Sequence, residues 1–329
     1  MKIALCGGAG FIGHHLALRL GAGGHVVMIA DSLMINNKYS LEGNSEYLAM
    51  VEERLGLLHA AGVPTLLLDA RDYDLLSRSV GVWKPDAIVH LAAVAHIDRA
   101  NKSPLTTFDH SLVTLENSLD VARAVGCKHF VYFSSSTAYG DFKKPEIDET
   151  EPCDPRGIYG SLKLCGELMV KAYADTYGLP TTIIRPCALY GPRCVSGRVP
   201  QKFVELAHNG QAIRIDGDGE GRHDFTSIHD MIDGVELALK AQPANEIYNV
   251  TAGRARSLNE LVAIIRAHYP ALRSTCGPAD PEKPSRGTMS VEKAKNLLGY
   301  SPRWPLERGM ADYIAWYKTF RQRMASRAA

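Results

Sequence analysis

The chain has 329 residues, enough for one large α/β domain or two lobes, and its 46% hydrophobic and 22% charged content is ordinary for a globular protein. A formal net charge of +1 argues against nucleic-acid or anionic-membrane binding, and no apolar run approaches the length of a membrane span. Seven scattered cysteines without a C-x-x-C pair argue against a zinc site and suit reduced thiols in a cytoplasm, and no signal peptide precedes the first strand.

Ile3-Ala4-Leu5 reads as a strand, Phe11 to Leu20 as a helix, and between them Cys6 to Gly13 carries Gly-x-x-Gly-x-x-Gly. Strand, glycine turn and helix start make a phosphate cradle: Gly7 permits the turn, Gly10 admits a pyrophosphate, and Gly13 lets the helix pack closely. The strand Val26 to Ala30 ends in Asp31, at the distance where a carboxylate bonds ribose hydroxyls and repels a 2′-phosphate, favouring NAD over NADP. A polar loop, Ser32 to Gly43, precedes an amphipathic helix from about Glu46 to Ala61. Strand Thr65 to Leu68 then ends in Asp69-Ala70. Asp69 there meets the adenine or caps the helix at Leu75 to Val80.

Strand Ala87-Ile88-Val89 runs into His90-Leu91-Ala92-Ala93, whose alanines let backbone approach a cofactor; His90 reads as a bonded core histidine. A helix from about Leu105 to Val125 leads to strand Phe130 to Phe133 and the hydroxyl run Ser134-Ser135-Ser136-Thr137. Four hydroxyls at a buried strand end each need a partner, which packing does not supply. On the helix Ile158 to Tyr177, Tyr159 and Lys163 share a face, and an ammonium near a phenol favours phenolate. Strand Thr181 to Ile184 gives Arg185-Pro186-Cys187-Ala188-Leu189-Tyr190-Gly191-Pro192, after which βα regularity breaks down. Helices are expected near Pro200 to Asn209, Met231 to Ala241, Leu258 to His268 (with a Ser257/Glu260 capping box), before Gly299, and near Leu306 to Phe320; strand Ile247 to Val250 returns to the sheet.

These motifs, with Leu298-Gly299-Tyr300 and Pro302, resemble the extended short-chain dehydrogenase/reductases acting on nucleotide sugars, the epimerase/dehydratase family, over nearly the whole chain. The resemblance implies an α/β fold: a Rossmann-type doubly wound parallel sheet in residues 1–185, with returning segments near 224–252, and a smaller substrate-binding lobe in 186–329. It implies NAD held by Gly7, Gly10, Phe11, Ile12, Gly13, Asp31, Asp69, Ala70, Leu91, Ala92, Ala93, Tyr159 and Lys163, a nucleotide-sugar substrate and a homodimer. The implied catalytic set is Ser135, Ser136, Tyr159 and Lys163. The implied substrate contacts are Thr137, His96, Arg193, Arg222, His223 and Arg286, with His96 equally readable as a loop histidine and Arg286 as a surface arginine.

Family dehydratases follow the serine or threonine with an Asp-Glu pair, and family decarboxylases have Glu in the second position. Here those positions are Ser136 and Thr137, which is similar to the 4-epimerases of UDP-hexoses and UDP-hexuronic acids. The chain departs from the family at His223, where arginine is usual, and at Ala188 and His110, where asparagine is frequent; Cys187 is an acid/base thiol or a buried apolar cysteine. A net oxidoreductase, a dehydratase with relocated acid and base, and a non-catalytic NAD-sensing module stand as alternatives.

Overall fold

The computed structural model describes residues 1–41, 43–95, 97–241, 244–278 and 284–328. Seven strands form one sheet: β1 Lys2–Cys6, β2 Val26–Asp31, β3 Thr65–Leu67, β4 Ala87–His90, β5 His129–Phe133, β6 Thr181–Arg185 and β7 Glu246–Asn249. Their order is β7-β6-β5-β4-β1-β2-β3, and every pairing is parallel. Alternate residues of β1 feed two cores. Ile3 and Leu5 pack with Leu16, Ile29, Val89 and Met231, while Ala4 and Cys6 pack with Ile88, Phe130, Leu115 and Ile183. A sheet covered on both faces needs such continuous apolar strands, which is why β1, β4, β5 and β6 carry so few charges. The order reverses between β1 and β4, and ligands of such sheets bind outside the strands' carboxyl ends there.

The principal helices are α1 Phe11–Ala22, α2 Ser45–Ala60, α3 Thr114–Ala124, α4 Gly157–Tyr177, α5 Val199–His208, α6 Ile228–Lys240, α7 Leu258–His268, α8 Glu292–Leu298 and α9 Leu306–Ala328. The capping box of α7 is complete, with Glu260 N–H donating to Ser257 Oγ at 3.2 Å and Ser257 N–H to Glu260 Oε2 at 2.7 Å. A third core joins Tyr190, Phe203, Val204, Leu261, Ile265, Tyr313 and Tyr317. Among the described residues no helix is long and apolar enough to cross a membrane.

Four features differ from expectation. The helix expected over Leu105 to Val125 is α-helical at Pro104–Phe108 and in α3 but widens to a π-helical turn over Asp109–Val113. Strand Ile213–Asp216, paired parallel to Ser274–Gly277, was not anticipated. The last helix extends past Phe320 to Ala328. Met50 and Val51 of α2 belong to the third core while Leu58 belongs to the sheet's, so this early helix joins the sheet to the C-terminal half of the chain. Helical spacing reveals that a face is buried, not what covers it.

Candidate active site

The glycine turn is built by close backbone approach. Gly7 adopts φ +80°, and its N–H donates to Ala30 O at 2.8 Å. A Cβ on Gly13 would fall 2.4 Å from Gly8 O, so only glycine lets α1 start against this turn. Gly10 is the N-cap of α1 and offers no side-chain acceptor to the first-turn N–H groups, which leaves them for an anion. Asp31 accepts from Ala9 N–H at 2.9 Å and Leu33 N–H at 2.8 Å; burial raises its pKa, and these two bonds oppose the rise.

All thirteen residues assigned above to the cofactor border one continuous cleft along the carboxyl ends of the strands. Asp31, Leu68, Asp69 and Ala70 lie at one end and Phe133, Ser134, Tyr159, Lys163 and Pro186 at the other. Asp69 is held by Arg71 at 2.6 Å, which keeps its carboxyl below the usual range; the cap of the following helix is Asp72, accepting from Leu75 N–H at 2.9 Å. A dinucleotide suits this arrangement: a cradle that a Cβ on Gly7 would fill, free helix N–H groups for the diphosphate, and a carboxylate at the strand end for a ribose.

At the other end, Ser135 caps the short turn Ser136–Tyr139, its Oγ accepting from Thr137 N–H at 3.2 Å. Lys163 Nζ donates to Phe133 O at 2.6 Å. Burial pushes this ammonium down to about 8, and Glu167 pulls it back up. Burial is also the largest effect on Tyr159, raising its pKa; Arg198 and a hydrogen bond with Ser135 act in the opposite sense. Lys163 is not among the groups acting most strongly on the phenol here. Its ammonium is directed to a strand carbonyl, and Arg198 supplies the charge felt at the phenol. Beneath these groups lies a buried ion pair, Arg185 Nη2 to Glu167 Oε2 at 2.6 Å, each partner 3% exposed. Glu167 also accepts from Ser134 Oγ, so the pair ties the serine run to α4.

His90 is the core histidine expected: Nδ1 lies 3.0 Å from Ser118 Oγ, and burial takes its pKa down to about 3. The hydroxyls of Ser136 and Thr137 lie beyond the cofactor cleft; burial raises the Cys187 thiol pKa, with Ser136 opposing the rise, and Thr137 Oγ1 is buried without a protein partner. Arg286 donates to Gly140 O with its guanidinium 5.5 Å over the Phe142 ring, on the flank of that serine turn. Arg222 is half exposed, donating to Ala255 O at 3.0 Å, and His223 lies against Phe225. Arg193 does not border the cleft. It reaches His14 Nε2 at 3.0 Å and Glu53 at 3.2 Å. His96 lies outside the described residues.

Arg54, His110 and Arg198 are among the bordering residues not anticipated as cleft residues from the sequence. Arg54 carried a signal, since it falls at helical spacing within the stripe Met50, Val51 and Leu58; His110 and Thr114 reach the cleft through the π-helical turn, which no local pattern announces.

The model of the NAD dependent epimerase/dehydratase family matches residues 3–251. A probable UDP-glucuronate 4-epimerase of Rhizobium meliloti is 28% identical, the alignment covering 96% of this chain and 97% of that protein. A dTDP-glucose 4,6-dehydratase of Streptomyces niveus is 26% identical over 97% of this chain and 93% of its own. Among solved structures, UDP-glucose 4-epimerase of Thermotoga maritima with UDP-glucose superposes with a TM-score of 0.85 at 26% identity, covering 97% of this chain and 99% of that one. The dTDP-glucose 4,6-dehydratase DesIV of Streptomyces venezuelae, with NAD bound, gives 0.85 at 27% identity and 98% coverage of both. With a family match over three-quarters of its length and relatives aligned nearly end to end, the chain belongs to the NAD dependent epimerase/dehydratase family, with NAD as cofactor.

Proposed function

We propose that the protein is a nucleotide-sugar 4-epimerase working through a transient 4-keto sugar, on a UDP-hexose or UDP-hexuronic acid. The observation that carries this reading is the serine run. Beside Ser135 stand Ser136 and Thr137, neither of which supplies the carboxylic acid and carboxylate that elimination of water requires. Asp31 and Asp69 are the carboxylates that border the cleft among the described residues. Asp31 ends β2 and Asp69 follows β3; β2 is three strands from β5, about 14 Å at ordinary strand spacing, and both carboxylates are engaged by neighbouring groups.

Bound NAD supplies the acceptor and donor of hydride at the Tyr159 end of the cleft. Tyr159, as phenolate, takes the proton of the sugar 4-hydroxyl and later returns one. Ser135, which acts to lower the phenol pKa, steadies the same sugar oxygen as charge develops on it. Arg198 offsets part of the burial cost of the phenolate, and Lys163 anchors the β5 end through Phe133 and would present a cation to the ribose of a bound cofactor. Arg286, beside the serine turn, is placed to grip the nucleotide diphosphate. The sugar turns over in the pocket as the ketone and is reduced on its other face. No redox equivalent is lost, so the cofactor is retained between turnovers.

The test is turnover without added cofactor. Protein carrying NAD as purified is expected to convert one of a panel of UDP-, dTDP-, GDP- and CDP-sugars to its 4-epimer. A strict need for stoichiometric NAD(P)H, with a reduced or oxidised sugar as product, would replace this reading by net oxidoreduction.

A further inference from the structure

One buried charge on the cleft has no role in the chemistry above. Arg54 of α2 is 0% exposed and borders the cleft together with Gly10, Phe11 and Asp31. Its Nε donates to Arg193 O at 2.9 Å, and Nη2 donates to the same oxygen. Nη1 is buried and has no acceptor. Among the described residues Arg54 forms no ion pair. Asp31, near enough for its charge to act on the guanidinium, has both oxygens committed to Ala9 and Leu33 N–H groups.

A guanidinium does not discharge at working pH, so the fold holds out of water a cation with no ion-pair partner, an arrangement that is costly unless an anion arrives. Holding the loop at Arg193 explains two of its nitrogens and leaves the third unexplained. The uncapped first turn of α1 borders the same cleft, and its N–H groups and partial positive charge also call for an anion there. Two independent features of the cleft thus converge on one negative ligand. Burial lowers the Arg54 pKa, with Arg193 adding to the effect, which is the direction an anionic ligand would reverse.

We propose that Arg54 is a diphosphate-binding residue of the cofactor site, its Nη1 donating to a phosphate oxygen of the dinucleotide. By neutralising that diphosphate in a dry setting, Arg54 keeps NAD bound between turnovers, as a reaction without net redox requires. A charge-assisted bond there also links cofactor occupancy to the Arg193 loop, because the same side chain holds both.

The experiment measures binding by calorimetry, on wild type and on R54Q and R54K stripped of cofactor, with NAD, ADP-ribose, ADP and adenosine as ligands. The readout is the ratio of ADP to adenosine affinity within each protein, which a general loss of stability does not move. R54Q is expected to lower that ratio, and NAD and ADP-ribose affinity with it, about tenfold, leaving adenosine within about twofold. R54K is expected to lower the ratio less, since its ammonium retains the charge without the fork, and it carries the test if R54Q does not fold. An unchanged ratio in whichever variant folds would overturn the proposal. An equal loss of ADP and adenosine affinity, which leaves the ratio unchanged, would place the guanidinium at the adenosine ribose instead. Neither result depends on which sugar the enzyme turns over.

Discussion

Replacing Gly7 by alanine perturbs the cradle where the geometry is tightest. An added Cβ would lie 2.6 Å from Ala92 N, 2.8 Å from Ala92 Cα and 3.0 Å from Leu91 C. All three are backbone atoms of the segment following β4, so no rotamer change relieves them. To reach ordinary contact at 3.4 Å, the turn and that segment must separate by about 0.8 Å. The positive φ adds about 1–2 kcal/mol for alanine and the overpacking about 1–3 kcal/mol, so Gly7→Ala is expected to cost roughly 2–5 kcal/mol. At about 2 °C per kcal/mol for a chain of this size, Tm falls by roughly 4–10 °C. Both sides of the opened gap border the cofactor cleft, so NAD affinity falls as well, by up to about 100-fold for a displacement approaching 1 Å. Calorimetry gives both numbers, Tm by scanning and Kd by titration. Gly21→Ala, on α1 with nothing within 4 Å of an added Cβ, is the control and is expected to be neutral or slightly stabilising. A Gly7→Ala protein with wild-type Tm and NAD affinity would refute the cradle geometry.

Tyr159→Phe is expected to lower kcat by about 10²–10⁴-fold with NAD affinity unchanged, measured by steady-state kinetics and calorimetry. Arg198→Gln removes a charge that lowers the Tyr159 pKa, so that pKa rises and the acidic limb of kcat/KM moves to higher pH; an unmoved limb would remove Arg198 from the account. Asp224 is fully buried, its pKa raised to about 6. Between about pH 4 and 6 the folded state binds the proton that the unfolded state has lost, so stability from this group is complete below that window. It is lost as pH rises through it, by up to about 3 kcal/mol. Asp224→Asn should flatten that segment, seen as a pH-dependent difference between wild type and variant in urea unfolding.

The local signals in the sequence were those with a short-range physical cause. The cradle could be read because Gly7, Gly10 and Gly13 answer to turn, approach and packing within one strand–helix unit. The α7 cap could be read because Ser257 and Glu260 satisfy each other's backbone. Tyr159 and Lys163 share a face by helical period alone, and both border the cleft. What stayed hidden depends on contacts far apart in the chain. The partners of Arg193, expected only as a substrate contact, are Glu53 and His14, 140 and 179 residues away. Arg54 reaches the cleft only because α2 packs across to the third core, and an apolar stripe says nothing of its partner. The direction of the Lys163 ammonium depends on Phe133 O, a backbone acceptor no side-chain pattern encodes.

The central claim is that a serine turn without carboxylates, facing Tyr159, inverts a sugar carbon and eliminates nothing. Proton NMR of the reaction in deuterated water tests it most directly. The account predicts a 4-epimer whose carbon-bound protons are all retained, formed without added cofactor. Deuterium at carbon 5 together with a 4-keto-6-deoxy product would contradict it.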